Sequence, residues 1–262
     1  MKKYVICIPA SDDFALATAV LIYSIKKNLT VFDQCDVKVV YNDLNEASQH
    51  LISKVYSDIK FEKPVDSSYY RHIPSTIYGP GNYGCYLSFE AFSQTGYNKS
   101  IYFDADMLCS ADFSDIVKTE KQMVWKYPNN GLMIVGHKYL TGETYRKMID
   151  VVINTNMKNR TDGDQATAQQ LFNPSNQDVK VVSELYNFQN FGAGGKGSHE
   201  EYQKSAKDVK IIHYSGRRKP WASIWDGEEN NKNCIRFATL MNNNDAIKLW
   251  YKYYDEFREQ YL

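Results

Sequence analysis

The 262-residue sequence predicts an α/β fold built on a central sheet with a substantial parallel part. Tyr4–Ile8 is a continuous apolar run, the mark of a strand covered on both faces. A segment with apolar residues at helical spacing follows it directly. Strand and helix signals then alternate through the first third of the chain, and further strand-like runs recur after residue 100.

The elements follow in order. Asp12 or Asp13 is placed to cap the segment from Phe14 to Asn28, where Ala17, Leu21 and Ile25 fall on one helical face. Val37–Tyr41 is a second β-branched run. Asp43-x-x-Glu46 has the form of a capping box and predicts a helix through Tyr56. Residues 63–86 are rich in Pro, Gly, Ser and Tyr and predict a long loop with at most short structure; such loops in compact enzymes are often functional. Ser100–Phe103, Gln122–Trp125 and Leu132–Val135 read as strands. Tyr145, Met148, Ile149 and Val152 share one helical face, and a short helix is expected near Asp164. Val209–Ile212 is a late strand, and Asp245–Leu262 is an aromatic-rich helix. Ligands of such sheets collect at the carboxyl ends of the strands. Asp12, Asp104 and His213 all stand at or just past predicted strand ends.

Composition narrows the function. Lys plus Arg and Asp plus Glu both number 31, so the formal net charge is zero. This argues against a nucleic-acid binder, which needs a basic face. No stretch approaches the roughly 20 apolar residues of a membrane-spanning helix. The five cysteines include no Cys-x-x-Cys pair and are odd in number. They predict reduced thiols and a cytoplasmic setting. The mixed charges of AIKLWYKYYDEFREQYL favour a packing helix or a homodimer contact over an anionic-membrane anchor. The stretch FGAGGKGSH (191–199) lacks the spacing of a phosphate loop and reads as a flexible loop or lid.

SIYFDADMLCS (100–110) sets Asp104 and Asp106 two positions apart at the end of an apolar run. Two carboxylates at a strand end can meet one divalent cation, although Asp-x-Asp alone is a weak signal. IIHYSGRRKPW (211–221) adds His213 as a third candidate ligand and Gly216, where backbone can approach a phosphate. Lys219 supplies a point charge for a diphosphate. Together the two stretches are far more specific than either one.

His-x-x-Gly-x-x-Lys-Pro-Trp with an upstream Asp-x-Asp resembles the glycogenin and lipopolysaccharide galactosyltransferase family, family 8 of the retaining glycosyltransferases. The resemblance runs from about residue 4 to about 225. It implies a GT-A (Rossmann-like) fold with a mixed, mainly parallel central sheet flanked by helices over 1–225. Residues 226–262 would form a C-terminal helical extension packed on the core. It also implies Mn²⁺, with Mg²⁺ as the alternative, and a UDP-sugar donor whose hexose passes to a hydroxyl acceptor such as a glycan. By the same resemblance Asp104, Asp106 and His213 bind the metal, and Asp104 also faces the ribose. IPASDDF (8–14) is similar to the family's uracil-binding turn, which assigns Ala10 and Asp12 to the base; Phe14 stands where the family often has Asn. PNNGLMIVG (128–136) is similar to a family strand and brings Asn129 to the donor sugar. DGDQATAQQLF (162–172) implies that Asp164 binds sugar hydroxyls and Gln165 sits near the anomeric carbon. ELYNF (184–188) resembles an aromatic–Asn pair of the family.

One stretch departs. The family commonly has a basic residue in a helix upstream of the Asp-x-Asp strand, whereas YGCYLSFEAF (83–92) has no Arg or Lys. Tyr86 is the matching occupant, and Arg71, Arg217 and Arg218 are alternative sources of charge. Two other readings compete. One is a noncatalytic nucleotide-sugar-binding protein with a degraded site. The other is a metal-dependent nucleotidyltransferase, but PASDDF lacks the Gly-rich basic loop which that class places after the first strand.

Overall fold

The computed structural model describes residues 2–73, 83–154, 163–190, 199–215, 219–221 and 244–262. Among the described residues ten strands follow in chain order: β1 (Tyr4–Ala10), β2 (Cys35–Tyr41), β3 (Lys60–Glu62), β4 (Lys99–Phe103), β5 (Met107–Cys109), β6 (Met123–Lys126), β7 (Asn129–Gly136), β8 (Val179–Val181), β9 (Phe188–Gln189) and β10 (Ile211–His213). The α-helices are α1 (Ala15–Asn28), α2 (Glu46–Ser53), α3 (Ser114–Val117), α4 (Gly142–Asn154), α5 (Gly163–Leu171), α6 (His199–Ser205) and α7 (Asp245–Tyr261).

Seven strands form the central sheet in the order β3-β2-β1-β4-β7-β6-β8. It is mixed but mainly parallel: only β7 runs against its neighbours, β4 and β6. Alternate residues along each strand enter different cores, as the two-residue period requires. Ile6, Ile101, Ile134 and Val124 point to one face, under α1, α2 and α7. Cys7, Tyr102, Met133 and Trp125 point to the other, against α4 and the 3-10 segment Gly84–Ala91. Both faces are therefore covered, which accounts for the continuous apolar runs of β1 and β4. A small second sheet, β5-β10-β9, extends the chain beyond the carboxyl end of β4.

α1 is buried along one continuous stretch from Ala15 to Ile25 rather than on one face. α2, β5 and α7 all pack on it, so its sequence is apolar nearly all round. The helical face expected from Tyr145, Met148, Ile149 and Val152 is the buried face of α4.

Two helix starts differ from the sequence-based expectation. Asp12 and Asp13 lie inside a 3-10 turn, Asp12–Phe14, and neither caps α1. Asn45, not Asp43, caps α2: its side chain accepts the Ser48 N–H, and the helix ends at Ser53 rather than Tyr56. Asn is as good a cap as Asp, and a capping pattern read two residues early is the ordinary error at helix starts. The 63–86 segment contains 3-10 turns at Ser68–His72 and from Gly84 onward, and residues 74–82 lie outside the described residues.

α7 closes the first core with Ala246, Ile247, Trp250, Tyr253 and Phe257. Trp250 is 0% exposed and stacks on Tyr254 at 5.6 Å between ring centres. It also meets Trp221 at 5.8 Å. Trp250→Ala should cost about 3–5 kcal/mol in denaturant unfolding, the range for emptying a large aromatic site. An unchanged midpoint would mean that α7 is not integral to this core.

Candidate functional site

β4 and β1 run side by side, and their carboxyl ends lie where the strand order turns from β1 toward β2 on one side and β4 on the other. This is the topological switch point where α/β sheets bind ligands. β7 arrives antiparallel to β4, with Leu132 opposite Phe103, so its first residues lie beside Asp104. The Asp104 N–H donates to the Gly131 carbonyl at 2.7 Å. The chain then enters β5, whose antiparallel pairing with β10 sets His213 opposite Met107. The Tyr214 N–H donates to the Asp106 carbonyl at 2.8 Å and fixes this crossing.

Asp104, Asp106 and His213 thus converge from distant parts of the chain. His213 Nε2 lies 3.1 Å from Asp106 Oδ1 and 3.6 Å from Asp104 Oδ2. One ligand atom from each residue lies within 4.8 Å of the other two. Tyr102 donates its hydroxyl to Asp104 Oδ1 at 2.7 Å and leaves Oδ2 toward the cluster. Lys219 Nζ stands 2.5 Å from Asp106 Oδ2 and also donates to the Tyr214 carbonyl at 2.7 Å.

The orientation of His213 follows from a chain of amides. The Gly131 N–H, which can only donate, bonds Asn129 Oδ1 at 3.0 Å. Asn187 Nδ2 donates to the same oxygen at 2.7 Å. The Asn187 carbonyl oxygen is therefore turned to His213 Nδ1, at 3.0 Å. Nδ1 therefore carries a proton, so Nε2 is the nitrogen that faces the cluster and offers a lone pair whenever the imidazole is neutral. Gly131 is obligatory at the centre of this arrangement. A Cβ there would stand 2.6 Å from His213 Cε1 and 2.9 Å from Asp104 Oδ2. Two carboxylates and an imidazole with a free Nε2 are a donor set that fits a divalent cation such as Mn²⁺ or Mg²⁺.

Electrostatics separates the two acids. Burial pushes the Asp104 carboxyl above the usual range, further raised by the charge of Asp106, and His213 only partly offsets this. Burial pushes on Asp106 in the same sense, but His213 and Lys219 outweigh it and hold that carboxyl well below the usual range. Burial would lower His213, yet Asp106 and Asp104 raise it above its ordinary value. A bound divalent cation would replace this mutual compensation, holding both acids ionised and the imidazole neutral.

Asp164 forms a second buried acidic centre. Gly163 has φ +54°, the left-handed region that favours glycine, and this bend starts α5 with Asp164 in its first turn. Ser88 Oγ and Asn130 Nδ2 both donate to Asp164 Oδ2 at 2.6 Å. Burial pushes the carboxyl up to about 7, with the Ser88 bond opposing and the Asp104 charge adding.

These groups share one cleft of about 990 Å³. Ala10, Asp104, Asp106 and His213 line it, as do Asn129, Asp164, Gln165 and Lys219. Asp12 does not: its carboxylate accepts the Asn45 N–H at 3.0 Å, and Asp13 takes the wall position beside Ala10 and Phe14. Gly216 lies outside the described residues, as do Asp162, Arg217, Arg218 and the glycines of 191–198. Tyr86 is 0% exposed in the second core, while Tyr83, Cys85 and Leu87 reach the wall. Of the tyrosines at 69 and 70, Tyr69 packs in the core and Tyr70 faces the cleft, stacked on Tyr83 at 4.9 Å. Phe14 closes edge-on against Trp221 at 5.4 Å, and Trp221 Nε1 donates to the Asp13 carbonyl at 3.2 Å. Sequence reasoning missed Ser88 and Asn130, and noted Asn187 without its role. No spacing rule links residues 88, 130 and 164. The Asn beside an aromatic in ELYNF was the one available signal.

Two outcomes test this geometry. Asn187→Ala should weaken Mn²⁺ binding about 10–100-fold in calorimetric titration without nucleotide, the usual loss for a group that orients a ligating histidine. The second concerns Asp164, whose carboxyl moves from 3.8 to about 7 on folding. Below the lower value both states hold the proton; as pH rises through the window the unfolded chain ionises first and stability falls. Asp164→Asn should therefore stabilise the unliganded protein by about 1–3 kcal/mol at pH 8 and by little near pH 4. An equal difference at both pH values contradicts the buried-acid geometry.

Comparison with known proteins agrees with this layout. The model of the family described as glycosyl transferase family 8 matches residues 116–225. Glycogenin-1 of Mus musculus is 20% identical over 255 residues, covering 94% of this chain and 73% of that protein. The galactosyltransferase LgtC, solved in complex with donor and acceptor sugar analogs, superposes with TM-score 0.65 at 16% identity, covering 91% of this chain and 95% of that one. The apo form of the glycosyltransferase GlyE of Streptococcus pneumoniae TIGR4 gives 0.66 at 14% identity, over 97% of this chain and 60% of that one. Family motif, family model and architecture point the same way: the chain is similar to glycosyltransferase family 8 over residues 116–225 and has the GT-A fold.

Proposed function

We propose that the protein is a Mn²⁺-dependent retaining glycosyltransferase that moves a hexose from a UDP-sugar to a hydroxyl acceptor. The observation that carries this reading is the meeting of Asp104, Asp106 and His213 with Lys219, Asp164 and Gln165 around one cleft at the switch point of the sheet. LgtC, with the same architecture, was solved with donor and acceptor sugar analogs.

Each residue has a task. Asp104, Asp106 and His213 would hold the divalent ion, which when bound neutralises charge on the departing diphosphate. Lys219, relieved of its pairing with Asp106, would add a second positive charge to that group; stabilising charge that develops in the transition state is usually the largest catalytic term. Ala10 and Asp13 offer the wall against which a base and ribose lie. Asp164 and Asn129 hold sugar hydroxyls and fix the reacting centre. Gln165 is an amide and a poor nucleophile, so its place on the wall favours attack from the face the diphosphate leaves. The acceptor oxygen bonds the anomeric carbon as the bond to the diphosphate breaks, and the acceptor proton passes to a diphosphate oxygen. The stacked Tyr70 and Tyr83 give the cleft an aromatic wall suited to an acceptor sugar.

UDP release should appear with at least one of a panel of UDP-sugars plus Mn²⁺ and vanish on chelation. Asp106→Asn should lower turnover by at least 100-fold with the circular-dichroism spectrum unchanged. Binding of UDP-sugar without turnover on any acceptor or water would favour a noncatalytic binding protein.

A further inference from the structure

Asp164 is held in an unusual way. Its two side-chain donors come from different elements, Ser88 from the 3-10 segment Gly84–Ala91 and Asn130 from β7, and both reach the same oxygen, Oδ2, at 2.6 Å. Ser88 and Asn130 are 0% and 4% exposed, so neither bond is shared with bulk water. Neither donor reaches Oδ1, and the residue lines the cleft beside Gln165. A carboxylate needed only for packing would be served as well by an amide, which avoids burying a charge. Two side-chain donors on one oxygen instead hold the carboxylate by Oδ2 and, among the described residues, leave Oδ1 without a side-chain donor. Both are uncharged, so they orient the group without neutralising it as an arginine would, and the acceptor strength of the second oxygen is preserved.

We infer that Ser88 and Asn130 are positioning residues that clamp Asp164 by Oδ2, so that Oδ1 accepts a hydrogen bond from a hydroxyl of the donor sugar. The inference rests on the donor-sugar reading above. It assigns the site a neutral, hydroxyl-bearing sugar: a hydroxyl hydrogen completes Oδ1, while a sugar carboxylate there would meet Asp164 and Asp104 with like charge. The clamp acts on the sugar alone, because the diphosphate lies with the cation and Lys219.

The test separates sugar from nucleotide. Affinities for UDP and for UDP-glucose, UDP-galactose and UDP-glucuronate are measured by calorimetry with Mn²⁺ on the full chain, together with kcat and KM on the preferred donor. Ser88→Ala and Asn130→Ala should each leave UDP affinity within about twofold and weaken the neutral UDP-sugar about tenfold or more, the loss expected for a hydrogen bond to a charged group. Asn130→Ala should add nothing once Asp164→Asn is present, since it acts through that carboxylate. Equal losses for UDP and UDP-sugar, an undiminished effect in the Asp164→Asn background, or a preference for UDP-glucuronate would overturn the clamp and leave the functional reading standing. Failure of the wild-type chain to bind UDP with Mn²⁺ would overturn both.

Discussion

The close approach of β4 and β7 at Gly131 is the constraint on which the site depends. With no side chain at that position, the Asp104 N–H reaches the Gly131 carbonyl, and His213 occupies the space a Cβ would take. The same glycine donates its own N–H to Asn129, which begins the amide chain that orients His213 through Asn187. The missing side chain thus makes room for His213 and Asp104, while the backbone of the same residue anchors Asp104 and the amide chain that orients His213. Any larger residue would have to displace His213 and Asp104.

The cleft concentrates negative charge and balances it in two different ways. Around Asp106 the compensation is cationic, from His213 and Lys219. Around Asp164 it is made of neutral donors, Ser88 and Asn130. Charged partners favour an ionised acid strongly, whereas neutral donors oppose desolvation only in part, and the two carboxyls are displaced in opposite directions. For the proposed transfer, this division suits a centre that meets a cation and a phosphate on one side and an uncharged sugar on the other. The departure from the family near Tyr86 has its physical meaning here: this region of the chain supplies a hydroxyl to Asp164 from Ser88.

Residues 219–221, beyond β10, are held largely by aromatic contacts. Trp221 packs on Phe14 and Trp250, and Tyr251 donates its hydroxyl to the Pro220 carbonyl at 2.6 Å. Lys219 is thereby tied to the first turn of the chain and to the last helix at once. Phe14, a departure from the family's usual Asn, closes against Trp221, so the polar wall contact next to it falls to Asp13.

The alternation of apolar strands with helical faces was legible in the sequence, because burial on both sides of a parallel sheet demands unbroken apolar runs such as Tyr4–Ile8 and Ser100–Phe103. The family motifs were legible too, since Asp-x-Asp and His-x-x-Gly-x-x-Lys-Pro-Trp keep fixed local spacing. The partners of those motifs were not. Asn45 displaced Asp43 as the cap of α2 because capping depends on where the chain actually turns. Asp12 turned to Asn45 because the loop after β2 came within reach of it. By itself the sequence determined the strands and the helical faces, which local periodicity sets, and its resemblance to family motifs singled out Asp104, Asp106 and His213 as candidate metal ligands. Only the tertiary structure decided that Ser88 and Asn130 meet on one oxygen of Asp164 and that Asn187 orients His213, because those bonds join strands and turns that the sheet order, not the chain order, makes neighbours.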